Sequence, residues 1–312
     1  MSQKPLIVVC GATGAQGGSV ANSLLATGNY KVRALTRNPD SNKAKALASK
    51  GAEVFKCDLS VEEDVKNALK GADIAWVVTN FLDPSIFGKD PYEEERIGKM
   101  IADIAKEVGL NWLIYSSLPD TTAGSGGKYP NIIEFVGKNR VEQHIKKLGL
   151  PNATFVYVCF YNQNFGTIIP FIPNENGEID LTIPYLEEDD SILLIDVEND
   201  LGPIVAKVIE EGPAKWNDRK VLAASDTVTF KDIIDVFTKV TGKTHKLKTM
   251  TDEDIAGSFF DNESLKEMFK WFKEFGTTGE GSEIKDVALS KKLHPKIRTF
   301  EQYVVETYGN KA

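Results

Sequence analysis

The run Leu6-Ile7-Val8-Val9-Cys10-Gly11-Ala12-Thr13-Gly14-Ala15-Gln16-Gly17 decides how the chain is read. Five apolar residues in succession suit a strand buried on both faces. They run directly into glycines spaced GxxGxxG, and a helical pattern follows over residues 16–27 before Gly28, which can close a helix in the left-handed conformation. Glycine at 11 allows a tight turn, at 14 a close approach of backbone to a pyrophosphate, and at 17 contact of helix with strand. Amide hydrogens at the start of such a helix face an anion. Three glycines alone shape many turns, so the motif draws its weight from standing between a strand and a helix.

Outward from this turn, β-type runs alternate with helical patterns, as parallel strands joined by crossover helices require. Further strands are predicted at residues 31–36, 52–56, 74–78, 112–116 and 153–159. Ser60 and Glu63 have capping-box spacing at the start of a helix that ends at Gly71. Over residues 91–108, Ile97, Met100, Ile101, Ile104, Ala105 and Val108 recur at helical spacing. Glu93, Glu94 and Glu95 suit the positive end of that helix, with Pro91 at its opening. Residues 119–130 read as a loop and 133–148 as a helix.

Beyond residue 160 the alternation becomes irregular. A strand at 191–195, a helix at 201–211 and a strand at 220–223 follow, then a helix with Phe230, Ile233, Ile234, Phe237 and Val240 on one face. Thr299 with Gln302 caps a last helix. The fold class is therefore α/β, a Rossmann-type doubly wound parallel sheet over residues 1–155. A smaller mixed α/β C-terminal lobe occupies 156–312 and can return strands to the main sheet.

The chain has 312 residues, 42% of them hydrophobic and 26% charged, enough for an ordinary core and a polar surface. A formal charge of -8 disfavours direct nucleic-acid binding, since an acidic surface repels phosphates. The small basic group Lys243, His245, Lys246 and Lys248 reads as a solvated turn. Cys10, Cys57 and Cys159 fall in strand-like runs and read as core. His144 follows on the 133–148 helix, and His245 and His294 stand in polar, loop-like stretches, so no zinc site is expected. No positively charged n-region precedes an apolar stretch and no apolar run approaches membrane length, which makes the cytosol, with nuclear access, the expected compartment.

Within dinucleotide binders the second strand's end sets specificity. An acid there would hold the ribose hydroxyls of NAD. The sequence instead reads Thr36-Arg37-Asn38, and a guanidinium can hold a 2′-phosphate with nothing nearby to repel it, favouring NADP and leaving NAD open. Asp58 and Leu59 would border the adenine, and Thr79, Asn80 and Phe81 the nicotinamide ribose. Phe160 and Tyr161 would line the nicotinamide pocket or simply pack. The cofactor contacts expected from the turn itself are Gly11, Thr13, Gly14, Ala15, Gln16 and Gly17.

Several stretches resemble the NmrA-like family, a branch of the atypical short-chain dehydrogenase/reductases. They are GATGAQGGSV (11–20), VRALTRNP (32–39), GAEVFKCDLS (51–60), FGK (87–89), EEERIGK (93–99), WLIYSS (112–117), GKNRVEQHIKKLG (137–149) and CFYNQNF (159–165). They follow in order over most of residues 5–165, with weaker echoes around Leu194-Ile195-Asp196-Val197 and Asp200-Leu201-Gly202. The resemblance implies a Rossmann domain with a small C-terminal lobe, a cofactor cleft, a preference for NADP, and for many members a role as redox sensor or transcriptional regulator.

Active relatives in the wider superfamily use Tyr-x-x-x-Lys, in which the lysine lowers the tyrosine pKa. Lys138 stands at the matching lysine position, and Glu134, normally an anion, replaces the tyrosine. Ser116 and Ser117 could still orient a carbonyl, and Tyr129 is too distant in sequence to share the helical face. The resemblance makes Lys138 a cofactor contact in a sensor that works through a protein partner, with little or no dehydrogenase activity. The alternative is a reductase of the isoflavone-reductase type with Lys138 as acid, provided that burial or positive charge lowers its pKa.

Overall fold

The structure is a computed structural model describing residues 4–84, 86–87, 89–279 and 286–309. Gly88 of the FGK stretch lies outside the described residues. The first part of the chain alternates as its pattern requires: β1 (Leu6–Val9), α1 (Ala15–Thr27), β2 (Lys31–Thr36), α2 (Asn42–Ser49), β3 (Glu53–Lys56), α3 (Glu62–Leu69) and β4 (Ile74–Val77). It continues with α4 (Glu93–Glu107), β5 (Trp112–Ser117), α5 (Thr121–Gly124), α6 (Ile133–Leu148) and β6 (Ala153–Val158). Next come β7 (Phe160–Tyr161), β8 (Phe171–Pro173), β9 (Ile179–Pro184), β10 (Ser191–Ile195), α7 (Leu201–Glu211) and α8 (Pro213–Trp216). The last elements are β11 (Arg219–Ala223), β12 (Asp226–Thr229), α9 (Phe230–Thr241), β13 (His245–Met250), α10 (Asp252–Ile255), α11 (Glu263–Phe275), α12 (Ala288–Leu293) and α13 (Phe300–Tyr308).

The chain packs as two compact units. The first comprises Met1–Leu118, Ile133–Val158 and Val197–Val221. Its seven-stranded sheet has the order β11-β6-β5-β4-β1-β2-β3, and the registers from β6 through to β3 are parallel. The strand order reverses at β1, which lies between β2 and β4, and the carboxyl end of such a switch point is where open α/β sheets bind their ligands. Ile7, Val8 and Val9 are fully buried, as are Ala75 and Trp76 beside them. Each large branched side chain buried this way contributes about 1.5–3 kcal/mol.

Helix α7 returns to the first unit and lies against α1. A Cβ built on Gly202 would stand 2.1 Å from the Ser19 carbonyl oxygen, and the Gly202 amide donates to Ser19 Oγ at 2.9 Å. The two backbones therefore touch, which only glycine permits.

The second unit comprises Pro119–Ile132, Cys159–Asp196 and Leu222–Ala312. It holds two three-stranded sheets, β12-β10-β7 and β13-β9-β8. Phe237 on α9 is the hub of its aromatic core, meeting Phe165, Phe171, Phe300, Tyr308 and His245. The Thr299–Gln302 capping box forms as the spacing predicts.

Several local expectations change. Ser60 does not cap α3: its amide and hydroxyl both bond to Asp58 Oδ1, and the helix starts after Val61. Pro91 precedes the α4 cap residue Tyr92 rather than opening the helix. The 119–130 loop contains α5, whose Thr121 start is capped by Asp120. Of the basic group, exposed Lys243 does stand in a bend, whereas His245, Lys246 and Lys248 belong to β13, which pairs in parallel with β9, and Lys246 bonds to Glu178 at 2.9 Å. His245 is buried and stacked on Phe237 rather than loop-like. Among the described residues no helix is long and apolar enough to cross a membrane.

Two outcomes follow from this packing. Gly202→Ala forces α7 off α1 and lowers unfolding free energy by about 1–3 kcal/mol in a denaturant titration; an unchanged midpoint would show that the helices separate freely. Burial pushes the His245 pKa below its ordinary 6.5, against the opposing hydrogen bond of Nδ1 to the Lys243 carbonyl. The unfolded chain then binds the extra proton first, so stability falls as pH drops below that value. Removing the imidazole by His245→Phe flattens the dependence between pH 7 and the folded pKa, read as melting temperature against pH.

Candidate functional site

At the end of β1 the chain turns sharply. Gly11 takes φ 62°, a left-handed value that a side chain would strain. The turn is tied to both flanking strands, Cys10 N donating to Trp76 O at 2.9 Å and Ala12 N to Leu35 O at 3.1 Å. Gly17 sits where a Cβ would fall 2.3 Å from the Gly11 carbonyl oxygen and 2.4 Å from that of Cys10. The first turn of α1 is thus pressed against the loop that precedes it. Gly14 caps α1 without a side-chain hydrogen bond, and no acidic residue occupies the first turn. A half-exposed loop of this kind, with a positive helix end and no carboxylate in that first turn, fits a pyrophosphate.

The neighbouring strand ends are joined to the turn. Thr13 Oγ1 lies 3.3 Å from Thr36 Oγ1, which accepts from Asn38 N at 3.2 Å. Gln16 Oε1 accepts from Ser116 Oγ at 2.8 Å, linking α1 to the end of β5. Arg37 follows β2 with its side chain 62% exposed, and its guanidinium pairs with Asp83 at 2.8 Å. A carboxylate therefore does stand beside the cation expected to read a 2′-phosphate, contrary to the sequence expectation.

Asp58 and Leu59 are half-buried after β3. The Asp58 carboxylate is engaged by Ser60, and its amide donates to Asp64 Oδ2 at 2.9 Å. Asn80 Oδ1 accepts from Leu82 N at 3.2 Å, and Phe81 meets Phe87 edge-on at 5.5 Å. These groups shape the loop after β4.

Lys138, on α6, is buried. Its ammonium donates to Glu94 Oε1 at 2.7 Å, to Thr79 Oγ1 at 2.8 Å and to the Thr79 carbonyl at 3.2 Å. Thr79 Oγ1 in turn donates to the same Glu94 oxygen at 2.7 Å. An ammonium has three hydrogens, and this triangle uses them all. Tyr115 lies at the same cluster; burial and the Glu94 charge push its phenol well above the ordinary range, with Thr79 pulling the other way.

The serine pair expected to orient a carbonyl is also engaged by protein. Ser117, fully buried, donates to Glu142 Oε2 at 2.7 Å, and Tyr157 donates to the same oxygen at 2.9 Å. Glu142 is itself fully buried and pairs with Lys146 at 2.9 Å. Cys10, Cys57 and Cys159 are free and buried; burial raises all three thiols, Cys57 to about 12, so none is a nucleophile at neutral pH.

Phe160 and Tyr161 are half-buried in the second unit, where Phe160 packs on Phe165 and Phe272. The first unit thus gathers Gly11 to Gly17, Thr36 to Asn38, Thr79 to Phe81 and Lys138 near the carboxyl ends of its central strands. Sequence reasoning missed Asp83 and Glu94. Nothing marked Asp83 among loop residues. Glu94 had a signal: four residues before buried Gly98 and seven before buried Ile101, it falls on the inward face of α4.

A model of the NmrA-like family matches residues 3–304. The chain belongs to the NmrA-like family. An NmrA-like oxidoreductase, FrzB, of Cladobotryum sp. is 33% identical over 250 residues, 76% of this chain and 74% of the relative. An NmrA-like family domain-containing protein of Dictyostelium discoideum is 31% identical over 312 residues, covering 97% of each chain. Crystal structures of NmrA, a negative transcriptional regulator, in complex with NAD and with NADP superpose with TM-scores of 0.82 and 0.79 at 24% identity, covering 99% of this chain and 97% of that one. At that identity the likeness speaks for the fold.

The Lys138 triangle has a measurable signature. Lys138→Met leaves Glu94 buried without its cation and costs about 3–5 kcal/mol of stability, while adding Glu94→Gln restores a large part of it. Denaturant titration of both variants and the parent checks this; additive losses would mean that the pair does not form.

Proposed function

We propose that this NmrA-like chain binds a nicotinamide dinucleotide in its first unit, NADP(H) ahead of NAD(H), and acts as an occupancy or redox sensor that reports to a protein partner. Gly11 to Gly17 would hold the pyrophosphate through backbone amides, and Arg37 with Asn38 would face the adenosine ribose. A nicotinamide ring supplies hydride chemistry when bound. The chain's own residues offer that chemistry little help.

The observation that carries this reading is the engagement of Lys138. An acid must present a proton to the substrate, and a base must present a lone pair. Lys138 presents neither while Thr79 and Glu94 take its three hydrogens, and Glu134 stands where the superfamily's tyrosine would stand. Ser116 and Ser117 already donate to Gln16 and Glu142. Complexes of NmrA with NAD and with NADP support the choice of ligand.

A second reading, an NADPH-dependent oxidoreductase, is favoured by the name of the Cladobotryum relative. It requires Lys138 to leave Glu94 during the reaction.

Calorimetric titration with NADP, NADPH, NAD and NADH, followed by an NADPH-consumption screen with quinones and aldehydes, separates the two. The sensor reading expects binding with negligible turnover, and Arg37→Ala weakening NADP by about 1–3 kcal/mol and NAD by less. Sustained NADPH consumption by the parent chain would give the protein to the oxidoreductase reading.

A further inference from the structure

The ion pair between Arg37 and Asp83 lies across the place where a dinucleotide would enter. Arg37 follows β2 and Asp83 follows β4, and β1 runs between those two strands. The pair therefore spans the carboxyl end of β1, from which the Gly11 turn departs.

Its two halves differ in freedom. The Arg37 side chain is 62% exposed and that of Asp83 only 12%. Asp83 is pinned through its backbone: its amide donates to Asn80 O at 3.2 Å, and its carbonyl accepts from Ile86 N and Phe87 N, each at 2.8 Å. Ile86 is buried and Phe87 packs edge-on against Phe81. The carboxylate is thus a fixed charge held by its turn, and the guanidinium is the partner able to swing.

We propose that Asp83 is the counter-ion which the 2′-phosphate of NADP must displace from Arg37, so that the pair selects between cofactors and straps the loop after β4 only while no 2′-phosphate is present. The inference rests on the dinucleotide reading above. A guanidinium holds a phosphate best through two parallel donors, and Asp83 already takes one of its terminal nitrogens. A phosphate brought to the same fork meets a carboxylate of like charge a few ångströms away. Arg37 resolves the conflict by turning from Asp83 to the phosphate. Asp83, mostly buried, then loses the cation beside it, and the tie between its turn and the end of β2 is released. The 2′-hydroxyl of NAD is neutral and makes no such demand, so Arg37 stays on Asp83. The loop that responds leads directly into α4, whose first turn carries Glu94 and so holds Lys138 and Thr79.

The test uses the full chain. Calorimetry with NADP and NAD is run on the parent and on Asp83→Asn, which keeps the side chain's size and removes its charge. Removing the competing charge should tighten NADP by about tenfold and leave NAD within about twofold. Hydrogen exchange at the Ile86 and Phe87 amides of the parent gives a readout that needs no variant: NADP should speed it and NAD should not. An NADP-to-NAD affinity ratio unmoved by Asp83→Asn, or exchange that responds alike to both nucleotides, overturns the strap while leaving dinucleotide binding in place. Binding of neither nucleotide by the parent chain removes the dinucleotide reading and the strap together.

Discussion

The closeness of α1 to the turn leaving β1 governs everything at the strand ends. At Gly17 the helix backbone meets the carbonyls of Cys10 and Gly11 with no space for even one carbon. That contact fixes where the helix begins, and therefore where its uncapped amides and the positive end of its dipole point. It also holds Gln16 within reach of Ser116, and Thr13 within reach of Thr36, so the first turn of α1 is indexed against β2 and β5 at once. A second glycine contact, Gly202 against Ser19, fastens the other side of the same helix to α7. Two absent side chains thus position α1.

Around this frame the first unit buries charge. Glu94 and Glu142 lie in its interior, where an unpaired carboxylate would be costly, and each is compensated locally. Glu94 has Lys138 and Thr79; Glu142 has Lys146, Ser117 and Tyr157. Such networks add little to stability compared with apolar packing of equal volume, but they permit few alternative arrangements, because any member left behind is a buried orphan. Lys138, Ser116 and Ser117 are each engaged by a neighbouring side chain of the same unit: Glu94, Gln16 and Glu142.

The succession of strands and crossover helices along the chain was legible because burial on both faces writes near-continuous apolar runs, such as 6–10, and helices write a 3.6-residue period, as at Ile97, Ile101 and Ile104. The glycine turn was legible because its three positions have distinct steric demands. The role of Glu94 was half legible: its place in the acidic first turn suited the dipole and hid its inward direction. Asp83 was illegible, since an ion pair between loops after different strands leaves no local periodicity. In the second unit β8, β9 and β13 escaped notice because they alternate only weakly, and Lys246 and Lys248 made β13 look like a turn. What turned that turn into a strand was tertiary pairing with β9 and the cover of Phe237 over His245.

A common rule links the two cations of the first unit that sequence reasoning assigned to a ligand. Arg37 and Lys138 each rest on a carboxylate supplied by the segment after β4, Asp83 from its turn and Glu94 from the first turn of α4. The difference lies in burial. Lys138 and Glu94 are both enclosed, so separating them exposes two charges to a poor solvent and the pair behaves as structure. Arg37 is largely in water, and breaking its bond to Asp83 rehydrates the guanidinium at little cost. Exchange of partners is therefore cheap at the β2 end and expensive at the α6 end. A ligand that carries its own anion would therefore draw the first cation away at less cost than the second, even though both carboxylates stand on one continuous segment after β4.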